Sequence, residues 1–315
     1  RIFDVAPQVR PAAAGADEAG TLPAGALSPP TAATFDAPTA QTRVNPKVLK
    51  WFVDRDTQRR IFLAMMAQQV QKQIMLVEAP THMGKTWLVN WLYGHCGTGP
   101  VPVVHFDFEL LARRPLDYLA WVRQARDQLG AAHFEEMTEL INRSTGPQRR
   151  PAQAPGLGER EADLARDDQP SHDDLGMVTA ESSRVRQAIK ANIVDAFFRC
   201  LQRLSHDQTV VLLFDAYERA GEEATELVGE LLLRIRLDRL PQVLVVVAGQ
   251  QVPRLDEEDF GAFLVPKDHT ELDLFSEQDV SEYLRVRNLP HLDPGEIHRR
   301  ADGHPRQLSL VIEEL

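Results

Sequence analysis

Apolar residues recur along this chain in two distinct patterns. Short apolar runs at Ile74 to Val77, Val210 to Phe214 and Val243 to Ala248, with a mixed run from Val101 to Phe108, read as strands buried on both faces. Between the runs, apolar positions fall three and four residues apart. Ile61, Phe62, Met65, Met66 and Val70 form one such set, and Val185, Ile189, Ile193, Phe197, Leu201 and Leu204 form another. Leu227, Val228, Leu231 and Ile235 form a third. That spacing places each set on one helical face. The pattern predicts a helix capped by Asp56 or Thr57, another over about Pro115 to Leu129, one opening at Ser182 or Ser183, and one from Glu222 to about Asp238. Glu271 to Leu274 reads as a last short strand, before a helix capped by Ser276 with Asp279 three residues on. Strands alternating with helices predict an α/β fold with a parallel sheet flanked by helices, which gathers its ligand at the strands' carboxyl ends.

The flanks lack these periods. Residues 1–44 are rich in Ala, Pro, Gly and Thr and read as a disordered linker, while 142–180 read as a mobile insertion rich in Pro, Gly, Asp and Arg. Residues 45–274 then form the α/β domain, and 275–315 a small helical domain that is cut short. Because the chain opens on Arg1 rather than Met, we expect further residues upstream.

Composition narrows the function classes. With 315 residues and 43% hydrophobic content there is material for a sizeable core, and the apolar runs are far shorter than a bilayer crossing, which predicts a cytoplasmic protein away from membranes. A formal net charge of −11 disfavours gripping a phosphate backbone, so nucleic acid is not expected as the main ligand. Cys96 and Cys200 lack metal or disulfide spacing and read as packing residues.

The chemistry concentrates after the first strand. Ala79-Pro80-Thr81-His82-Met83-Gly84-Lys85-Thr86 joins that strand to a helix, in the pattern of a phosphate-binding loop. Backbone N–H groups at such a helix start converge on phosphate oxygens. Lys85 would reach the β- and γ-phosphates, and the Thr86 hydroxyl would bind Mg²⁺. Ala79 stands where the first glycine is expected, which requires its φ to stay negative. At the end of the third strand, Asp215 is placed to hold Mg²⁺ through water, and Glu218 to polarise an attacking water or to hold a sensor group. Gln250, past the fourth strand, is a candidate γ-phosphate sensor. Gly303 can end one helix and Pro305 begin the next, placing His304 and Arg306 at a helix start.

Taken together, F-V-D-R-D at Phe52 to Asp56, the Ala79 to Thr86 loop, L-L-F-D-A-Y-E at Leu212 to Glu218, the Leu272 to Asp279 segment and Gly303-His304-Pro305 resemble the STAND NTPases, signal-transducing ATPases related to AAA+ proteins that include the NACHT and NB-ARC groups. The resemblance implies a P-loop NTPase followed by a helical lid, with ATP or ADP and Mg²⁺ as ligands. It implies nucleotide contacts from Val53, Arg55, Ala79, Pro80, Thr81, His82, Met83, Gly84, Lys85, Thr86, Trp87, Gln250, His304 and Pro305. Thr86 and Asp215 would be the magnesium residues; Asp215, together with Glu218 from its place after the third strand, completes the catalytic candidates. It further implies a switch held closed by ADP that self-associates into a homo-oligomer with ATP, between an upstream effector domain and downstream sensor repeats. Ala216 stands where AAA+ enzymes carry their catalytic glutamate, and Gln250 where many relatives carry arginine, so slow or absent hydrolysis is expected. The alternatives are an active AAA+ ATPase that remodels or loads DNA or protein complexes, and a scaffold whose site has decayed.

Overall fold

The structure, a computed structural model, describes residues 50–111, 118–145 and 172–315, with side chains left out for 145 and 172–183. Four strands, β1 (Ile74–Glu78), β2 (Val103–Asp107), β3 (Val210–Asp215) and β4 (Val243–Gly249), form one parallel sheet in the order β1-β4-β3-β2. Register is continuous across it: Ile74 pairs with Val245, Leu212 with Val245, and Asp107 with Asp215. Parallel strands need crossovers, and helices supply them on both faces.

Side chains alternate between those faces, as the two-residue period of a strand requires. Val104, Phe106, Leu212, Phe214, Val245 and Val247 point to one side, where they meet α3 (Tyr118–Leu129), α4 (Glu135–Thr145), α5 (His172–Asp207) and α6 (Glu222–Arg236). Met75, Val77, Val211, Leu213, Leu244 and Val246 point to the other, against α1 (Asp56–Met66) and α2 (Lys85–Cys96). Every residue of β3 and β4 is buried, which is why both strands read as unbroken apolar runs.

A third cluster closes the chain. Val280 and Leu284 of α7 (Glu277–Val286), Ile297 and Ala301 of α8 (Pro294–Ala301), and Leu308 and Val311 of α9 (Pro305–Glu313) pack together. Ser276 and Asp279 cap α7 reciprocally, as the sequence predicts. At the α8–α9 corner, Asp302 and Gly303 take φ of 48° and 66°. A Cβ on Gly303 would lie 2.5 Å from the Phe275 carbonyl, so glycine is needed there for space as well as conformation.

Several expectations are corrected. Glu271 to Leu274 is not a strand: its carbonyls are taken by side chains, Gln58 Nε2 to Glu271 O at 2.5 Å and Arg55 Nη1 to Asp273 O at 2.7 Å. The outer edge of β1 is covered instead by a single parallel bridge, Ile74 to Leu264. The N-cap of α1 is Arg55, in a left-handed conformation and without a side-chain cap bond, so neither Asp56 nor Thr57 serves. Helix α5 begins at His172, which puts Ser182 and Ser183 inside it rather than at its start. Of the segment expected as an insertion, 142–145 belong to α4 and 172–180 to α5. Its middle, 146–171, and the linker expected over 1–44 lie outside the described residues.

Beneath the carboxyl ends of β2 and β3 sits an aromatic group. Phe214 lies 5.4 Å from Phe106, 5.8 Å from Trp121 and 6.3 Å from Phe108, ring centre to ring centre, and Phe108 meets Tyr217 edge-on at 6.2 Å. Phe214→Ala should therefore cost about 3–5 kcal/mol of folding stability, through lost burial and a residual cavity. Urea denaturation reads this directly; a loss below about 1 kcal/mol would contradict the packing described.

Candidate functional site

One cleft of about 540 Å³ lies over the carboxyl ends of the strands. The order β1-β4-β3-β2 decides its contents, because the turns after β1, β3 and β4 emerge side by side. Thr81 to Trp87 line it from the first turn, Asp215, Glu218 and Arg219 from the second, and Gln250 from the third. Val53 and Arg55 close one side, and Phe275, Tyr283, Pro305, Arg306 and Ser309 close it from the C-terminal helices.

The loop after β1 is held open by conformation. Gly84 is the N-cap of α2 with φ of 89°, and a Cβ there would meet nothing within 4 Å, so its constraint is the left-handed backbone alone. His82 takes φ of 66° without being glycine, while Ala79 has no positive φ, as its place in the loop requires. Met83 is buried in the core and its carbonyl accepts from Arg55 Nη2 at 3.1 Å. Lys85, only 9% exposed, donates from Nζ to the carbonyls of Ala79 at 2.7 Å and Pro80 at 2.5 Å. Burial lowers the Lys85 pKa, and the nearby Glu218 and Asp215 carboxylates oppose that shift.

Asp215 is 2% exposed. Burial pushes its carboxyl up to about 6, against hydrogen bonds from the Thr86 side chain and the Ala216 N–H, the latter at 2.9 Å; the neighbouring Asp107 adds to the rise. The contact brings one hydroxyl and one carboxylate together, two hard oxygens of the kind magnesium takes while keeping most of its waters. Among the described residues no group of three or more His, Cys, Asp or Glu could hold a metal unaided. A cation here would draw its remaining ligands from water or substrate.

Glu218 is engaged rather than free. The Gln250 backbone N–H donates to one of its oxygens at 2.8 Å, and the Gln250 side-chain amide to the other at 3.1 Å. Burial opposes ionisation of Glu218, but these bonds and the Lys85 charge hold its pKa below the ordinary value. Gly249 makes room for this arrangement, since a Cβ there would fall 2.8 Å from Glu218 Oε2.

The expected residues therefore divide. Val53, Arg55, Thr81, His82, Met83, Gly84, Lys85, Thr86, Trp87, Asp215, Glu218, Gln250 and Pro305 line the cleft. Ala79 and Pro80 stand behind it as acceptors for Lys85. His304 does not line it, because its Nδ1 accepts from the Arg306 N–H at 3.3 Å and so caps α9. Arg306 reaches in instead, with Nη1 at 2.5 Å from His82 Nε2 and 3.2 Å from His82 Nδ1. Partial desolvation, together with the charges of Arg306, His304 and Lys85, lowers the His82 pKa. Glu109, Arg219 and Tyr283 were absent from the expected set. Among the further lining residues, Phe52, Ala216 and Arg306 stand in motifs that the sequence shows, Arg306 as the residue completing Gly303-His304-Pro305-Arg306.

No family model and no curated protein matches this chain. Among solved structures it is similar to the Thermotoga maritima RuvB Holliday junction branch migration motor, at 14% identity and a TM-score of 0.39, over 84% of this chain and 62% of that one. Cdc6p from Pyrobaculum aerophilum is similar at 12% identity and a TM-score of 0.41, over 78% of this chain and 52% of that one. The Aeropyrum pernix Orc1 protein in complex with DNA is similar at 12% identity and a TM-score of 0.37, over 78% and 52%. The chain thus spans less than two thirds of each. Among the described residues no helix is long and apolar enough to cross a membrane.

Burial of Asp215 has a consequence for stability. Unfolded, the carboxyl titrates near 3.8, and folded near 6, so between those values the native state keeps a proton that the unfolded state has released. Stability of the ligand-free protein should fall as pH rises across that window. Asp215→Asn should flatten the fall and melt higher than wild type at pH 7; thermal melts at pH 4 to 7 would check both, and equal slopes would refute the assignment.

Proposed function

We propose that this chain is an ATP- and ADP-binding P-loop module that acts as a nucleotide-gated switch with slow hydrolysis, in the manner of the STAND NTPases it resembles. The observation that carries the reading is the convergence of Lys85, the Thr86–Asp215 pair and Arg306 on one cleft. Phosphates would lie along the N–H groups at the start of α2, where the helix dipole favours negative charge. Lys85 would exchange its two loop carbonyls for phosphate oxygens, and Mg²⁺ would sit against Thr86 and Asp215.

Switching follows from where the walls come from. Arg306, Phe275 and Tyr283 belong to the C-terminal helices, whereas Lys85 and Asp215 belong to the sheet. A phosphate group that draws Arg306 from His82 would stabilise one arrangement of α7 to α9 over another, and only such differential binding moves an equilibrium. The fork that Gln250 places on Glu218 supports slow turnover, because that carboxylate is committed elsewhere. Self-association with ATP, and work between an effector and a sensor region, belong to the same reading.

The purified protein, denatured and chromatographed, should release ADP stoichiometrically, and Lys85→Ala should release none. In titration, Lys85→Ala should weaken ATP binding about 100-fold, equivalent to ~2.7 kcal/mol, and Asp215→Ala should weaken only the magnesium-dependent part. Retained affinity in Lys85→Ala would refute the reading. Steady turnover that DNA stimulates would favour instead an active ATPase working on DNA.

A further inference from the structure

Among the described residues three carboxylates border the cleft, and two of them are already held. Asp215 is buried against the Thr86 side chain and the Ala216 N–H, and both oxygens of Glu218 accept from Gln250. The third is Glu109, an exposed residue that lines the same cleft as Thr86, Asp215 and Glu218. Its carboxylate makes no hydrogen bond or ion pair to any described residue, while its backbone N–H is held firmly by Asp107 Oδ1 at 3.0 Å.

Its position is built rather than incidental. Strand β2 ends at Asp107, which pairs in register with Asp215 on the adjacent strand. Asp107 Oδ1 also accepts from the Leu110 N–H at 3.2 Å, so one carboxylate caps the helical turn Phe108–Leu111 that follows. Phe108 is buried in the aromatic group with Trp121 and Phe214, and that anchor presents the next residue to the cleft. Position 216, directly after Asp215, carries only a methyl group.

We infer that Glu109 is the general base of the hydrolysis this site performs, an inference that rests on the proposed reading of the cleft as an ATP site. A water oxygen forms a bond to the γ-phosphorus, and the bond from that phosphorus to the bridging oxygen breaks, its electron pair leaving with ADP. The water's proton passes to the Glu109 carboxylate and from there to solvent, which restores the base. Among the described residues no donor occupies the Glu109 carboxylate, whereas each Glu218 oxygen already accepts a hydrogen bond from Gln250, which fixes that carboxylate in place and lowers its basicity.

The test is single-turnover hydrolysis of ATP with magnesium by the full chain, with ATP affinity measured alongside. Glu109→Gln should lower the rate about 100-fold or more, within the range that general base catalysis supplies, and leave affinity within about threefold of wild type. Glu109→Ala should be equally slow and should recover part of its rate with added formate, which a merely structural role would not allow. A Glu109→Gln rate within about threefold of wild type, or a slow Glu109→Ala that formate leaves unchanged, would overturn the inference. So would a wild-type chain that binds ATP without hydrolysing it, though the binding reading would stand. A wild-type chain that binds no ATP would overturn that reading, and this one with it.

Discussion

The structure depends on burying a parallel sheet from both sides. Every residue of β3 and β4 is buried, so these strands can present polar chemistry only at their ends. Running all four strands in one direction then puts the chemistry at a single edge. Asp215 illustrates the balance of forces: the sheet that positions it also desolvates it, and the Thr86 and Ala216 hydrogen bonds offset only part of that cost. Cys96 shows the same environment with only weak compensation, a contact from Sγ to Met66 Sδ at 4.0 Å: burial pushes its thiol up to about 12 and leaves it inert as a nucleophile.

Most of the sheet was legible because burial on both faces leaves a continuous apolar run, and most of the cleft because a strand, an eight-residue loop and a helix appear in fixed order. Much of the rest lacked a clear local signal. Leu272 and Leu274 alternate with acidic neighbours and so imitate a strand, yet their segment is held by side chains of Arg55 and Gln58, more than two hundred positions away in sequence. The first turns of α5 are too polar to show a helical period, so the apolar repeat begins only after Ser182, ten residues past His172. Helix α4 and the turn before it did carry a signal, in Phe134, Met137 and Ile141 at spacings of three and four, masked by the polar stretch that follows.

Around the cleft the backbone departs repeatedly from ordinary geometry. Asp54, Arg55, His82 and Ala216 all take left-handed conformations, each costing about 1–3 kcal/mol by the usual measure of such positions. Three of the four line the cleft, and their side chains show what the strain secures. At Arg55 it turns the guanidinium inward, and at His82 it lifts the imidazole to meet Arg306. At Ala216 it bends the chain sharply after Asp215, which lets the N–H of residue 216 return to the carboxylate.

Arg55 is the joint of the molecule. Its guanidinium donates to Met83 of the loop and to Asp273 of the coil that leads into α7, pairs with Asp54 at 2.8 Å, and lies 5.2 Å from the centre of the Phe275 ring. One planar cation thereby ties together the two regions whose relative arrangement a ligand in the cleft would sense. Thermodynamic linkage makes that tie symmetrical. On the proposed reading, whatever free energy a ligand contributes to seating α7 to α9, a partner gripping those helices would return to the ligand, and so would tune occupancy of the cleft from outside it.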